Sequence, residues 1–225
     1  QAIKVYNMRE VDELVLLDIA ATGEGRGPDL ALVDDLADEC FMPLAYGGGI
    51  RSFADAQAIL KIGFEKIIVN SYAVENPHFI TELAEHFGSQ AVIVAIDVKR
   101  DAWGRHHVRS RAGTADTRRD PIEWAREVES FGAGEILLTS IEREGTWDGF
   151  DLQLVRSVAD AVHIPVIAHG GAGCVEHLGQ VVRQARASAV AVGSMVVFQK
   201  KGMGVLVNFP DPARLEAVLT IASDP

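Results

Sequence analysis

The sequence has few cysteines, no long apolar run and no excess of positive charge. Its two cysteines, Cys40 and Cys174, have no CxxC or ligand-spaced partner, so we expect reduced thiols in a cytoplasmic protein and neither a metal nor a redox centre. No apolar run approaches the roughly 18 residues of a membrane span, which argues against a membrane protein. The net charge of −11 argues against nucleic acid as a partner.

What the sequence does have is a regular alternation of short apolar runs with amphipathic segments. The runs are continuous and rich in Val, Ile and Leu, as is typical of parallel strands buried on both faces. Helical patterns separate them, and one begins with Asp120-Pro121, a favourable N-cap and first-turn pair. The pattern predicts a β/α fold with these strands: Leu14 to Ile19, Met42 to Tyr46, Lys66 to Asn70, Ala91 to Asp97, Glu135 to Ser140, Val166 to His169 and Ala189 to Gly193.

The second half of the chain repeats the first at an offset of 122 residues. The matching positions are Glu13 with Glu135, Pro43 with Pro165, Gly48 with Gly170, Gly49 with Gly171, and Val69 with Ala191. A single offset across three strands predicts two half-barrels related by a pseudo-twofold axis. We therefore expect a (β/α)8 TIM barrel rather than an open sheet.

The repeat also predicts a strand that the sequence does not contain. The strand from Ala91 to Asp97 opens the second half, and its counterpart would precede Gln1. Residues 1–13 resemble the end of a first helix. We therefore expect residues 1–225 to form one (β/α)8 barrel domain that lacks its N-terminal strand, with two exposed strand edges unless another segment covers them.

Two glycine turns occupy strand ends, where a (β/α)8 barrel places its reactive groups. They are LAYGGGI at 44–50 and VIAHGGAG at 166–173, and each precedes a helical segment. Glycine lets the backbone approach a ligand and direct amide groups at it, although one such turn alone could simply require positive φ. One strand after each turn comes a further pair, Asn70-Ser71 or Gly193-Ser194. This pattern predicts two phosphate-binding cups facing each other across the barrel mouth.

Three further side chains at strand ends are candidates for the site. Asp97 follows six apolar residues, and partial burial there would raise its pKa towards that of a general acid or base. The alternative is a structural acid paired with Lys99 or Arg100. Asp18 holds the equivalent place on another strand, where it could contact substrate or only the loop backbone. Thr139 completes this set.

Charged residues also stand at the opposite ends of three strands. Glu13, Lys66 and Glu135 each begin a strand, so their side chains should converge around the bottom opening of the barrel. A charged ring there could act as a gate. Isolated surface charges are the alternative interpretation.

With these residues in place, the sequence resembles the cyclase subunit of imidazole glycerol phosphate synthase from residue 1 to about residue 198. The segments that carry the resemblance are VDELVLLDIAAT, YGGGIRSF, AVENPHFITELAEHFGSQAVIVAIDVKR, GAGEILLTSIEREGT and HGGAG. The long third segment distinguishes this chain from the related phosphoribosyl isomerase of histidine synthesis, which shares the glycine turns.

The resemblance implies a barrel whose N-terminal face binds a glutamine amidotransferase. Ammonia released there crosses the barrel and attacks a ribonucleotide that carries two phosphates, without a cofactor. By this resemblance Asp97 is one of two catalytic aspartates, and the charged trio is a salt-bridged gate. The resemblance assigns Gly49, Asn70 and Ser71 to one phosphate, and Gly145, Gly171, Gly193 and Ser194 to the other.

Several positions depart from the histidine enzyme. The second catalytic aspartate belongs to the strand that this sequence lacks. Glu144 replaces an aspartate, His169 a serine and Tyr46 an aliphatic residue, and we expect Tyr46 and His169 to narrow the mouth. These features resemble paralogous subunits of surface polysaccharide gene clusters, which supply ammonia for converting a sugar's acetamido group to an acetamidino group. A histidine-pathway cyclase and a subunit that only binds and channels ammonia remain alternatives.

Overall fold

The computed structural model describes residues 2–9, 11–198 and 204–220. The helices are α1 (Ala2–Met8), α2 (Ala21–Glu24), α3 (Leu30–Ala37), α4 (Phe53–Ile62), α5 (Ser71–Glu75), α6 (His78–Phe87), α7 (Pro121–Ser130), α8 (Leu152–Ala159), α9 (Val175–Ala185), α10 (Ser194–Val197) and α11 (Pro212–Leu219), with a 3-10 turn at Ser89–Ala91. The strands are β1 (Leu14–Leu17), β2 (Leu44–Gly47), β3 (Lys66–Val69), β4 (Val92–Arg100), β5 (His106–Ser110), β6 (Ala115–Asp116), β7 (Glu135–Ser140), β8 (Val166–His169) and β9 (Ala189–Ala191). All seven predicted strands are present, with ends shifted by at most three residues.

The main strands form one parallel row in the order β1, β2, β3, β4, β7, β8, β9. Every neighbouring pair in the row is parallel, and helices connect successive strands on the outside. In the described residues β1 and β9 each have one parallel neighbour. This connectivity confirms the predicted α/β fold of TIM-barrel type.

The two faces of the strands contact different parts of the core. One face packs against the helices in a large apolar cluster that includes Ile67, Val94 and Leu138. The other face forms a second, smaller cluster in which every strand of the row takes part: Val15, Ala45, Ile68, Ile93, Ala95, Leu137, Ile167 and Ala191. Since residues of the first and last strands pack against the same small cluster, the sheet curls around an interior.

The backbone contacts confirm the predicted repeat for two sets of equivalent strands, β1 with β7 and β2 with β8. The Leu14 amide donates to the Pro43 carbonyl at 3.0 Å, and 122 residues later the Ile136 amide donates to the Pro165 carbonyl at 2.9 Å. The third set, β3 with β9, differs. Ala45 is in register with Lys66, whereas the equivalent Ile167 is in register with Ala189. β3 and β9 therefore correspond at an offset of 123, and the alignment of Val69 with Ala191 was wrong by one residue.

A hairpin after β4 is the main element that the sequence did not predict. β4 continues to Arg100 and pairs antiparallel with β5, which pairs with β6. The buried carboxylate of Asp151 anchors this hairpin: its Oδ2 accepts from Nη2 of Arg100 at 2.8 Å and lies 3.2 Å from Nε2 of His106. Burial opposes ionisation of Asp151, but the Leu154 amide and the charges of Arg100 and His106 outweigh it, so its pKa lies below the ordinary value.

Helix ends follow the local rules that the sequence suggested. Asp120 caps α7 by accepting from the backbone of Ile122 and Glu123, with Pro121 in the first turn. Ser52 and Asp55 form a capping box at the start of α4, directly after the first glycine turn. No helix in the described part of the chain is both long and apolar enough to cross a membrane.

Candidate functional site

The C-terminal ends of β1, β2, β3, β4 and β7 line a cavity of about 130 Å³, here called the mouth. Its lining includes seven of the residues predicted for the site: Asp18, Gly48, Gly49, Asn70, Ser71, Asp97 and Thr139. They come from strands far apart in sequence, and the parallel barrel brings their ends to one side. The cavity is smaller than the roughly 300–1,000 Å³ of typical ligand pockets, so it suits one small polar or anionic group.

Asp97 lies on the inner wall of the mouth, on β4. Its Oδ2 accepts a hydrogen bond from Nδ2 of Asn70 at 2.8 Å. Burial raises the pKa of the Asp97 carboxyl, and the hydrogen bonds from Asn70 and Thr139 and the charge of His169 offset only part of this. A carboxyl of this kind can exchange a proton closer to neutral pH, as a general acid or base must. Arg100, the suggested structural partner of Asp97, contacts Asp151 instead.

We expect Asp97→Asn to stabilise the fold at neutral pH. A carboxyl whose folded-state pKa is raised destabilises the fold above its unfolded pKa of about 3.9, and this cost grows until the pH passes the folded pKa. The variant should gain roughly 0.5–2 kcal/mol at pH 7. The gain should nearly vanish near pH 3.5, where the Asp97 carboxyl of the wild type is mostly protonated in both the folded and the unfolded state. Thermal melts of both proteins at the two pH values measure it, and an equal difference at both would contradict the burial argument.

The first cup consists of Gly48, Gly49, Asn70 and Ser71. Gly48 and Gly49 have φ of 130° and 68°. A Cβ on Gly48 would lie 2.6 Å from the Asp18 carbonyl oxygen, and one on Gly49 would lie 2.6 Å from that of Arg26. Both positions therefore require glycine. Arg51, directly after the turn, lines the same cavity and places a cation beside the cup.

Asp18 uses its carboxylate within its own loop. Oδ2 accepts from Nη1 of Arg26 at 2.5 Å, and Oδ1 accepts from the backbone amides of Ala20 and Ala21 at 3.1 Å each. The hydrogen bond from Arg26 lowers the pKa of Asp18, with the two amides adding to the effect. Of the two interpretations offered by the sequence, the geometry favours loop binding over substrate contact.

The turn of the β5–β6 hairpin reaches the edge of the first cup. Arg111 and Ala112 have φ of 52° and 53°, a left-handed conformation that non-glycine residues adopt at a cost. The Arg111 amide donates to Oγ of Ser71 at 2.8 Å, and its guanidinium contacts Glu75 at 3.1 Å. Ala112 lines the cavity. The hairpin therefore covers part of the mouth, and Ser71 Oγ accepts a hydrogen bond from it while the hydroxyl hydrogen can still be donated to a ligand.

The second cup consists of Gly145, Gly171, Gly193 and Ser194. A Cβ on Gly145 would stand 3.8 Å from Oγ of Ser194, so this loop and the start of α10 face each other. Oγ of Ser194 donates to Oε1 of Glu144 at 2.6 Å. Gly170 and Gly171 have φ of 96° and 109°, and a Cβ on Gly170 would lie 2.6 Å from the Ser140 carbonyl oxygen. The structure thus assembles this cup as well, with Glu144 inside it.

His169 links the second cup to Asp97. Its Nδ1 lies 3.2 Å from Oγ1 of Thr139, and its Nε2 lies 3.7 Å from Oε2 of Glu144. Thr139 is the partner of Asp97 in the register of β7 and β4. A row of polar side chains therefore leads from Asp97, in the mouth, to Ser194 beside it.

The expectation that Tyr46 narrows the mouth was wrong. Tyr46 is 5% exposed and belongs to the outer apolar cluster, where its ring packs edge-on against Phe64 at a centroid distance of 6.0 Å. Its neighbour Ala45 points to the interior, and side chains alternate along a strand, so Tyr46 must face the helices.

Glu13, Lys66 and Glu135 form one charged cluster at the N-terminal ends of their strands, here called the lower cluster. Nζ of Lys66 lies 2.8 Å from Oε2 of Glu13 and 2.9 Å from Oε1 of Glu135, and the three side chains are 19–26% exposed. Burial lowers the pKa of Lys66, but the two carboxylates raise it by more, so the net shift is upward. Lys66 is therefore held as an ammonium between two carboxylates.

The barrel interior has three layers along its axis. The lower cluster lies at the N-terminal end, and the polar residues of the mouth lie at the C-terminal end. Between them is the smaller apolar cluster, in which Ala45, Ala95 and Ala191 contribute little volume. Asn70, just after β3, is four positions beyond Lys66, which corresponds to roughly 13 Å along the strand.

Two residues of the site were not selected as site residues from the sequence. Arg51 lines the first cup, and its place directly after the glycine turn was the available signal. Glu144 had been noted only as a departure from the histidine enzyme. Its position inside the second cup depends on where the β7–α8 loop meets Ser194, a contact between residues 50 apart.

Comparisons with known proteins agree with this architecture. The model of the histidine biosynthesis protein family matches residues 1–201. A Pseudomonas aeruginosa protein provisionally named imidazole glycerol phosphate synthase subunit hisF2 is 45% identical over 96% of this chain and 86% of its own length. A Vibrio vulnificus protein, provisionally named subunit hisF3, is 40% identical over 98% of this chain and 85% of its own length. A Leptospira borgpetersenii protein, provisionally named subunit HisF, is 40% identical over 96% of this chain and 86% of its own length. The chain belongs to the cyclase subunit family of imidazole glycerol phosphate synthase.

Proposed function

We propose that this chain receives ammonia from a glutamine amidotransferase bound at the N-terminal face of the barrel and passes it through the interior to the mouth. The observation that carries this proposal is the layered interior: a charged cluster, a small-residue apolar layer and a polar mouth in sequence. Neutral ammonia can cross an apolar layer, whereas ammonium would lose its hydration there at high cost.

The two ends of this path have distinct tasks. At the lower cluster, Glu13 and Glu135 hold the Lys66 side chain across the opening, so one of these charged side chains must move before ammonia enters. At the mouth, the buried carboxyl of Asp97 is the group that can exchange a proton with a ligand in the first cup. We assign phosphate or another anion to the first cup, next to Arg51.

We propose further that the ammonia serves amidination of a surface polysaccharide sugar by a separate enzyme. With Tyr46 outside the mouth, this choice rests on His169, whose imidazole lies between Thr139 and Glu144 at a position where the histidine enzyme has the smaller serine. A histidine-pathway cyclase is the second candidate, favoured by the two assembled glycine turns and by Asp97.

Turnover of the histidine-pathway ribonucleotide separates the two candidates. The full-length protein is incubated with ammonium chloride at millimolar concentration and the ribulosyl-formimino carboxamide ribonucleotide, and imidazole glycerol phosphate is measured. We expect no product, with a histidine-pathway cyclase as the positive control. Product that disappears in Asp97→Asn would overturn the polysaccharide assignment and establish the second candidate.

A further inference from the structure

The turn between β5 and β6, residues 111–113 and here called the hairpin tip, forms one wall of the mouth beside the first cup. Ala112 lines the cavity together with Ser71 and Glu75. The Arg111 amide donates to Oγ of Ser71 at 2.8 Å, and Nη2 of Arg111 donates to Oε1 of Glu75 at 3.1 Å. The hairpin tip is therefore joined to the first cup through a hydroxyl that belongs to the cup itself.

The two ends of the hairpin are held to the barrel with different strength. At the far end, the buried carboxylate of Asp151 contacts both Arg100 and His106. Between the hairpin tip and the rest of the described chain, the hydrogen bonds are those to Ser71 and Glu75. The Glu75 pair is exposed to solvent. The tip can therefore separate from the barrel at the cost of two hydrogen bonds while the far end stays in place.

The backbone of the hairpin tip is strained. Arg111 and Ala112 have φ of 52° and 53°, and Gly113 has φ of 81°. Strain at residues other than glycine persists where the surroundings impose it, and it is common at ligand clamps. Thr114 maintains the turn, because its Oγ1 donates to the Arg111 carbonyl at 2.7 Å. The tip is therefore a preformed unit that can move as a whole.

The size of the mouth requires such a movable wall. A cavity of about 130 Å³ takes a phosphate group but not the rest of a typical small molecule. The Ser71 hydroxyl can accept from the Arg111 amide and donate to a phosphate oxygen at the same time. Linked hydrogen bonds of this kind strengthen one another, so phosphate binding and closure of the tip favour each other.

We propose that the hairpin tip is a clamp that closes over a phosphate group in the first cup, and that Arg111 is its positioning residue. The ligand is free phosphate or a phosphate monoester. The tip opens to admit it and closes when Ser71 bonds both the phosphate and the Arg111 amide. This inference deepens the proposed function and rests on it for the anion in the first cup, but it requires neither ammonia transfer nor a glutaminase.

Limited digestion with trypsin tests the clamp. The full-length protein is digested with and without inorganic phosphate or ribose 5-phosphate, each at about ten times the Kd measured by calorimetry, and the fragments are identified by mass. Trypsin can cut after Arg111 only when the tip is open, so either ligand should slow this cleavage at least about fivefold. Cleavage after Arg105, which is 67% exposed at the other turn of the hairpin, should not change. The tighter of the two ligands identifies the source of the phosphate group.

Variants at the tip separate positioning from simple loss of structure. Arg111→Gly suits the φ of 52° and keeps the amide but removes the pair with Glu75, so phosphate binding should weaken at least about fivefold. Ala112→Gly is the matched control, because it loosens the neighbouring residue and keeps both contacts; its Kd should stay within about twofold of the wild type. Arg111→Lys keeps a cation for Glu75 and a trypsin site, and should restore most of the protection.

The outcomes that contradict the clamp differ from those that contradict the proposed function. Phosphate that binds without protecting the Arg111–Ala112 bond would overturn the clamp and leave the anion site intact. No phosphate binding at millimolar concentration would overturn both. Equal weakening in Arg111→Gly and Ala112→Gly would remove the role of Arg111. Free protein that is cut after Arg105 but never after Arg111 would show that the tip does not open.

Discussion

Gly170→Ala is expected to lower the free energy of unfolding by about 3 kcal/mol or more. Two costs add at this glycine. Its φ of 96° lies where residues with a Cβ are strained, and the added Cβ would lie 2.6 Å from the backbone oxygen of Ser140 in the neighbouring strand. Since backbone cannot turn away as a side chain can, β7 and β8 would have to separate. Denaturant unfolding of the variant measures the loss.

Gly104→Ala is the matched control for this prediction. Gly104 has a similar φ of 81°, but a Cβ there meets nothing within 4 Å. It should cost only the conformational strain, about 1 kcal/mol. If both variants lost the same amount, strain alone would account for Gly170, and the close contact with the Ser140 carbonyl would be unimportant.

Lys66→Ala is expected to uncouple the proposed ammonia transfer from glutamine hydrolysis by a glutaminase. Without the ammonium, Glu13 and Glu135 are left facing each other at the opening, and water and ammonia can pass between cavity and solvent. In the complex with the glutaminase and the ammonia acceptor, product formed per glutamine hydrolysed should fall severalfold, while complex formation persists. The isolated variant should also lose about 3 kcal/mol of stability at pH 7. That stability is fully present at pH 7, because a lysine with a raised pKa loses its contribution only above about pH 10.

Lys61→Ala serves as the control. Lys61 is exposed on α4, so this substitution removes the same charge from outside the barrel interior. The triple variant Lys66→Met, Glu13→Gln and Glu135→Gln removes all three charges together. It should recover most of the stability but not the coupling. Unchanged product per glutamine in Lys66→Ala would rule out the gate, whatever the stability of the variant.

The strands and their order were predictable from the sequence, whereas the hairpin was not. Runs such as AVIVAI at 91–96 are apolar at every position because both faces are buried, and that is a local signal. In the hairpin from His106 to Asp116, Val108 is the only large apolar residue, so no alternation of apolar and polar positions marks its strands. The hairpin is held by a contact to Asp151, 45 residues beyond His106. No local pattern could indicate that partner.

The candidate site divides in the same way. Gly48, Gly49, Gly170 and Gly171 could be found because only glycine tolerates their φ and their close backbone contacts, and because the repeat showed the pair twice. The roles of Tyr46 and Asp18 could not be predicted from the sequence. On a strand apolar on both sides, nothing local says which side faces the interior, and a carboxylate takes whichever donor the fold brings nearest.

The sequence by itself determined the duplicated β/α architecture, the family and the places where strands end in glycine. These follow from burial on both faces and from backbone conformations, which each residue satisfies locally. The tertiary structure alone decided that Lys66 lies between two carboxylates and that Glu144 accepts a hydrogen bond from Ser194. The physical reason is that a charged side chain is stabilised by partners from distant segments, and those partners meet only when the barrel curls.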